Sequence, residues 1–202
     1  MVKTKNLSTI RRTIGNFVYY SNMISKEETS MIRGSTYAQA HDARIKKRKQ
    51  REWDLYFLKM VSLVASKSPD PKTQVGCVIV ELDNAVLSTG YNGLPRRVEP
   101  TKARLSREND EKYYWMEHAE TNAIFNAARH GTALKGSHAY ILGLPCPRCA
   151  SALIQSGIVT ITIPMNTPLV EHAARWKDKY KRSAVMLKEA NILIRKVNID
   201  EA

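Results

Sequence analysis

His118-Ala119-Glu120-Thr121-Asn122-Ala123-Ile124, answered further on by Pro145-Cys146-Pro147-Arg148-Cys149, is the part of this chain around which the rest can be read. One imidazole and two thiolates are three ligands for a Zn²⁺ ion. Three protein ligands leave the fourth tetrahedral position to water, which is the arrangement of a catalytic site. Two Cys at x₂ spacing suit a loop entering a helix, where the N-terminus also lowers thiol pKa. Glu120, two residues after His118, would sit beside the metal-activated water and move protons. Residues i and i+2 point about 200° apart on a regular helix, so these two cannot share a face in mid-helix. The spacing therefore predicts that His118 stands at the first turn, where the chain is still entering the helix.

On its own, a C-x-x-C is open to a redox pair or a structural zinc as well as a catalytic one. A closed structural site needs a fourth Cys or His. None stands close to 146–149, and His130 and His138, between the two halves, are the remaining candidates. Glu120, Pro145 and the surrounding strand and helix pattern favour the open site.

Outward from the motif, His118–His130 reads as a helix stopped by Gly131, followed by a strand over Ser137–Leu142. Pro147–Ser156 reads as a short helix ended by Gly157, then a strand over Ile158–Ile163. A helix over about Val170–Ala190 carries Ala173, Trp176, Tyr180, Ala184 and Leu187 at 3–4 spacing, and Ile192–Val197 is a last strand. Upstream, Gln74–Leu82 and Ala85–Asn92 are extended runs joined at Asp83-Asn84, a hairpin turn without glycine. Residues 98–112 are charged and aperiodic and read as a long loop, followed by Tyr113-Tyr114-Trp115. A first helix begins near Ala38 and is ended by Ser68-Pro69-Asp70-Pro71. Its residues Trp53, Tyr56, Phe57, Met60, Leu63 and Val64 recur as one buried face. A hairpin followed by β/α alternation predicts an α/β fold: a three-layer α/β/α sandwich around a mixed sheet of about five strands.

With 202 residues, the chain is long enough for one domain with a good core and a tail. No run approaches 18 apolar residues, which excludes a membrane-spanning helix within this sequence. Three cysteines, two of them in the motif, form no disulfide framework and fit a reducing compartment, so the cytoplasm is expected. Cys77 lies in an apolar run and reads as a buried strand residue. Residues 1–52 hold 12 Lys/Arg against 4 Asp/Glu, and most of the net charge of +13 lies there. Residues 1–37 are read as a flexible basic arm and 38–202 as the domain that carries the chemistry. An acid-poor start also fits a transit peptide or an extension before Met23 or Met31. A basic arm can bind nucleic acid or remain a solvated tail.

The H-x-E…P-C-x-x-C spacing is the signature of zinc-dependent nucleobase deaminases, and the chain resembles the cytidine/deoxycytidylate deaminase superfamily, most closely bacterial and phage-type dCMP deaminases. The resemblance spans roughly 51–197. It also rests on Ser68-Pro69-Asp70-Pro71-Lys72-Thr73-Gln74-Val75-Gly76, on Gly90-Tyr91-Asn92-Gly93 with Pro95, and on Gln155-Ser156-Gly157-Ile158. It implies a cytidine-deaminase-like fold and one catalytic zinc on His118, Cys146 and Cys149, with Glu120 as general acid/base. It further implies that Asn92 contacts the substrate near its sugar. Arg96 and Arg97 follow where a 5′-phosphate needs a cation, and Tyr114 is a candidate for stacking on the base. The reaction implied is hydrolysis of dCMP to dUMP and ammonia, with dCTP and dTTP as effectors and a homo-oligomer, in many members a hexamer. Two other readings are a tRNA or single-stranded DNA deaminase that uses the basic arm, and a non-catalytic zinc module.

Overall fold

The computed structural model describes residues 26–165 and 177–199. The chain divides into two compact units, Met1–Lys49 and Gln50–Ala202. The described part of the first unit is helical throughout. It is the beginning of α1 (Lys26–Ala65), which ends in the second unit. The expected start near Ala38 is thus corrected to Lys26, and residues 26–37, assigned above to the arm, are helical. No proline lies between Lys26 and Ala65 to force a break, and a missing apolar period reports a missing buried face, not a missing helix. Residues 1–25 of the expected arm lie outside the described residues.

The second unit is built on β1 (Gly76–Val80) and β2 (Val86–Tyr91), then α2 (Glu111–Trp115), α3 (Ala119–Arg129) and β3 (His138–Ile141). It continues with α4 (Pro147–Gln155), β4 (Thr160–Pro164), α5 (Lys177–Glu189) and β5 (Leu193–Val197). The strand order is β2-β1-β3-β4-β5, with β1 antiparallel to both neighbours and β3, β4 and β5 parallel. This is the expected mixed five-stranded sheet. The hairpin closes without glycine because Asn84 itself takes φ 74°, while Asp83 Oδ1 accepts the Ala85 N–H at 3.0 Å.

Strand alternation separates two apolar layers. Cys77, Ile79, Ala139, Ile141, Ile161 and Ile163 pack with α3, α4 and α5 through Ala119, Ala123, Ala150, Leu153 and Leu187. Val78, Val80, Tyr140 and Val197 pack with Phe57, Leu58 and Val61 of α1. Helices on both faces make the three-layer sandwich.

The buried stripe of α1 differs from the expected one. Asp54, Phe57, Leu58, Val61 and Ala65 face the sheet, whereas Trp53, Tyr56 and Leu63 are exposed. Asp54 turns inward because its Oδ1 accepts the Tyr140 hydroxyl at 2.9 Å and the Arg195 guanidinium at 2.8 Å. A hydropathy period places a carboxylate outside and so rotates the helix. Residues 98–112 are also more than a loop. They contain a 3₁₀ turn at Glu108–Asp110 and lead into α2, whose Lys112 is buried. Of the expected helix over Val170–Ala190, α5 is the described part, and Ala173 and Trp176 lie outside the described residues.

Gly90 lets α3 lie against β2, since a β-carbon there would run into the backbone of Ala119 and Ala123. Gly90→Ala is therefore expected to cost about 1–3 kcal/mol as the helix is pushed off the strand. Chemical denaturation checks the stability, and metal analysis should show weaker zinc retention, because α3 begins one residue after His118.

Candidate active site

His118 is the N-cap of α3, with extended backbone angles (φ −77°, ψ 156°), and Glu120 lies in the first turn. The i, i+2 conflict is resolved as expected: one side chain precedes the helix and the other belongs to it. The entry is held by paired backbone bonds between Gly93 and Glu117, at 2.9 and 3.1 Å. Ser88 Oγ donates to the Ala123 carbonyl at 2.7 Å, and Asn122 and Asn126 donate to the Tyr91 and Thr89 carbonyls. The two asparagine bonds satisfy carbonyls of the edge strand, and all three fix the helix on it. Cys146 is the N-cap of α4 with Pro147 in the first turn, a position where a proline's missing N–H costs nothing.

His118, Cys146 and Cys149 bring ligand atoms within 4.8 Å of one another, the metal-ligating group found among the described residues. His118 Nδ1 lies 3.5 Å from Cys146 Sγ and 3.3 Å from Cys149 Sγ. Zinc bonds of about 2.0 Å to nitrogen and 2.3 Å to sulfur place tetrahedral N and S ligands about 3.5 Å apart, so the donors fit with small movements. The proton balance agrees. A hydrogen bond from Cys149 lowers the Cys146 thiol to about 4, while that bond and burial raise Cys149. The pair thus holds one proton and one charge, and a dication would displace the second proton. Thr121 Oγ1, 3.7 Å from Cys149 Sγ, stands behind the pair. Of the two candidates for a closed site, His130 is exposed, and His138 alternates onto the α1 face with Tyr140. Cys146→Ser should take bound zinc from near-stoichiometric to near none by elemental analysis and lower the melting temperature.

These groups open into a cavity of about 370 Å³ whose lining includes His118, Glu120, Cys146, Asn92, Tyr113 and Tyr180. Burial raises the Glu120 carboxyl, with the His118 charge opposing it. A bond from Cys146 raises His118, and burial raises Tyr180. Burial therefore favours the protonated form of Glu120 relative to a carboxyl in water, while the His118 charge favours the ionised form.

The expected substrate contacts divide. Asn92 lines the cavity, but its Oδ1 accepts the Val75 N–H at 2.7 Å and its Nδ2 donates to the Thr73 carbonyl at 2.9 Å. Its visible work is to hold the 73–75 wall. Arg96 and Arg97 are absent from the cavity lining; they border a separate concavity with Lys67 and Arg129, and Arg96 bonds to Asn126. Tyr114 is 81% exposed, and its neighbour Tyr113 lines the cavity in its place. The cations that do line it are Lys72, Arg107 and Lys112. Lys112 is committed to a buried ion pair with Asp70, and Arg107 donates to Thr73 Oγ1 at 2.9 Å. Sequence reading missed Arg107 and Lys112 because the 98–112 segment has no period from which to place a side chain, and Lys72 because it lies in the turn that follows the first helix. Tyr180, read above as packing, is a cavity residue.

A family model of the cytidine and deoxycytidylate deaminase zinc-binding region matches residues 51–165. An uncharacterized deaminase in the luxG 3′ region of Aliivibrio fischeri is 36% identical over 149 residues, a match covering 74% of this chain and 96% of that protein. The human deoxycytidylate deaminase is 40% identical over 111 residues, 53% of this chain. The chain spans 61% of the human protein's length and 52% of that of a nematode relative. The dCMP deaminase of cyanophage S-TIM5, solved with dCMP and dUMP, has the same fold, with TM-score 0.58 and 21% identity over 70% of this chain and 94% of that one.

Proposed function

Because the chain belongs to the cytidine and deoxycytidylate deaminase family, we propose that it hydrolyses dCMP to dUMP and ammonia in the cytoplasm. The observation that carries this reading is one cavity with a buried carboxyl beside three metal donors and exposed cations on its wall. Glu120, His118 and Cys146 line it together with Lys72 and Arg107. A zinc ion held by His118, Cys146 and Cys149 would supply Lewis acidity, bringing the pKa of the attacking water toward about 7.

Glu120 takes the proton of that water and delivers it to N3 of the cytosine ring. After attack at C4 the same carboxylate takes the proton of the new C4 hydroxyl and passes it to the departing amino group, so that ammonia leaves and the C4 carbonyl of uracil remains. Burial, which raises Glu120 above its ordinary value, lets one group act as base and then as acid. Ile141 and Leu144 give the base an apolar wall, and Tyr113 is the aromatic edge nearest the sequence position first expected for stacking.

Lys72 and Arg107 are assigned to the 5′-phosphate in place of Arg96 and Arg97. Both are exposed while the carboxyl is buried, which suits a ligand with a base at one end and a dianion at the other. The family's effectors, dCTP and dTTP, and its oligomeric assembly accompany this reading.

The test is turnover of dCMP, deoxycytidine and dCTP by the parent and by Arg107→Gln. A charge-assisted phosphate contact contributes about 1.5–3 kcal/mol, so the variant should lose about 10–100-fold in kcat/KM for dCMP. Its deoxycytidine turnover should be unchanged. An equal loss on both substrates would remove Arg107 from the phosphate, and a parent inactive on dCMP would remove the substrate itself.

A further inference from the structure

We propose that the α1 segment Arg44–Lys49 is a binding surface for the phosphate backbone of nucleic acid, a role separate from deamination in the cavity. Arg44, Lys46, Lys47, Arg48 and Lys49 are five cations in six consecutive residues, all exposed on a continuous helix. At about 1.5 Å rise per residue this stretch is about 9 Å long, one positive charge per about 1.8 Å. At about 100° per residue these cations point around the helix, and Arg44, Lys47 and Arg48 fall within about 100° of one another, a side that can face a phosphate backbone.

The same crowding works against the free helix. Arg44 faces Lys47 and Arg48 at i+3 and i+4, and Lys46 faces Lys49, so like charges oppose one another along the helix surface. A polyanion relieves that repulsion and releases its own condensed counterions. Close by, Asp42 is the single acidic residue from Thr36 to Lys49, and it lies 3.9 Å from His41.

The pattern favours nucleic acid over an anionic membrane. A helix that lies in a lipid interface needs a broad apolar face opposite its charges. Between Thr36 and Lys49 the large apolar residues are Tyr37 and Ile45 alone. A backbone-tracking surface of this kind binds without regard to base sequence.

The experiment uses the full chain and a variant carrying Arg44→Gln, Lys46→Gln, Lys47→Gln and Lys49→Gln, which keeps helix-forming residues throughout. Fluorescence anisotropy with labelled duplex and single-stranded DNA of unrelated sequences, at several salt concentrations, gives affinity and its salt slope. The parent should bind all of them. In the variant, which removes Arg44 and Lys47 from that side, the slope of log K against log salt should become shallower by about 2, with dCMP turnover unchanged. Failure of the parent to bind at low salt, or an equal slope in the variant, would overturn the proposal. So would charge-dependent binding to phosphatidylglycerol vesicles with none to the oligonucleotides.

Discussion

Glu120→Gln should lower dCMP turnover by at least about 10³-fold, the upper part of the range for a lost acid–base group, because one carboxyl serves both proton transfers. Zinc content should be unchanged, since the donors proposed for the metal are His118, Cys146 and Cys149. The stability effect has a definite sign. Burial raises Glu120, and a group raised in the folded state costs stability as pH climbs above its ordinary value. Gln carries no such cost. The variant's melting temperature at neutral pH should therefore equal or exceed the parent's, so that lost activity cannot be blamed on unfolding. Turnover within about tenfold of the parent would place the proton transfers on another group.

Lys112→Met should be the most destabilising single change outside the metal donors. Lys112 is 6% exposed and pairs with Asp70, which is 2% exposed and also accepts the Lys72 N–H at 3.0 Å. Removing the ammonium leaves a carboxylate buried without its counterion, at a cost of about 3–5 kcal/mol. For a unit of this size that is a fall in melting temperature of about 10 °C. The pair also joins α2 to the 68–75 segment, so KM for dCMP should rise in the same variant. Adding Asp70→Leu removes the stranded charge and should restore much of the stability without restoring KM. Stability equal to the parent's in Lys112→Met would mean that the pair is not held out of water.

The two halves of the metal site, the order of strands and helices, and the placement of His118 ahead of its helix could all be reasoned from residue type and spacing. Each depends on neighbours close along the chain: the periodicity of an element, a glycine or proline at its end, or an angle between i and i+2. Pro145-Cys146-Pro147 announces a helix entry locally, and the helix begins at Pro147. The turn at Asp83-Asn84 was recoverable for the same reason.

Where the reading went astray, the deciding contact spans a long stretch of sequence. Asp54 is turned inward by Tyr140 and Arg195, 86 and 141 residues away, and this rotates α1 from the face its apolar residues predict. Arg96 and Arg97 stand next to the Asn92 turn in sequence, yet Arg96 bonds to Asn126, 30 residues further on, and both border a different concavity. Lys112 reaches the cavity wall through Asp70, 42 residues earlier. Composition and spacing report what a residue can do and which local element it favours. Which charges meet in a cavity depends on desolvation and pairing between distant segments, and those come into being when the sheet and its helices close over one another.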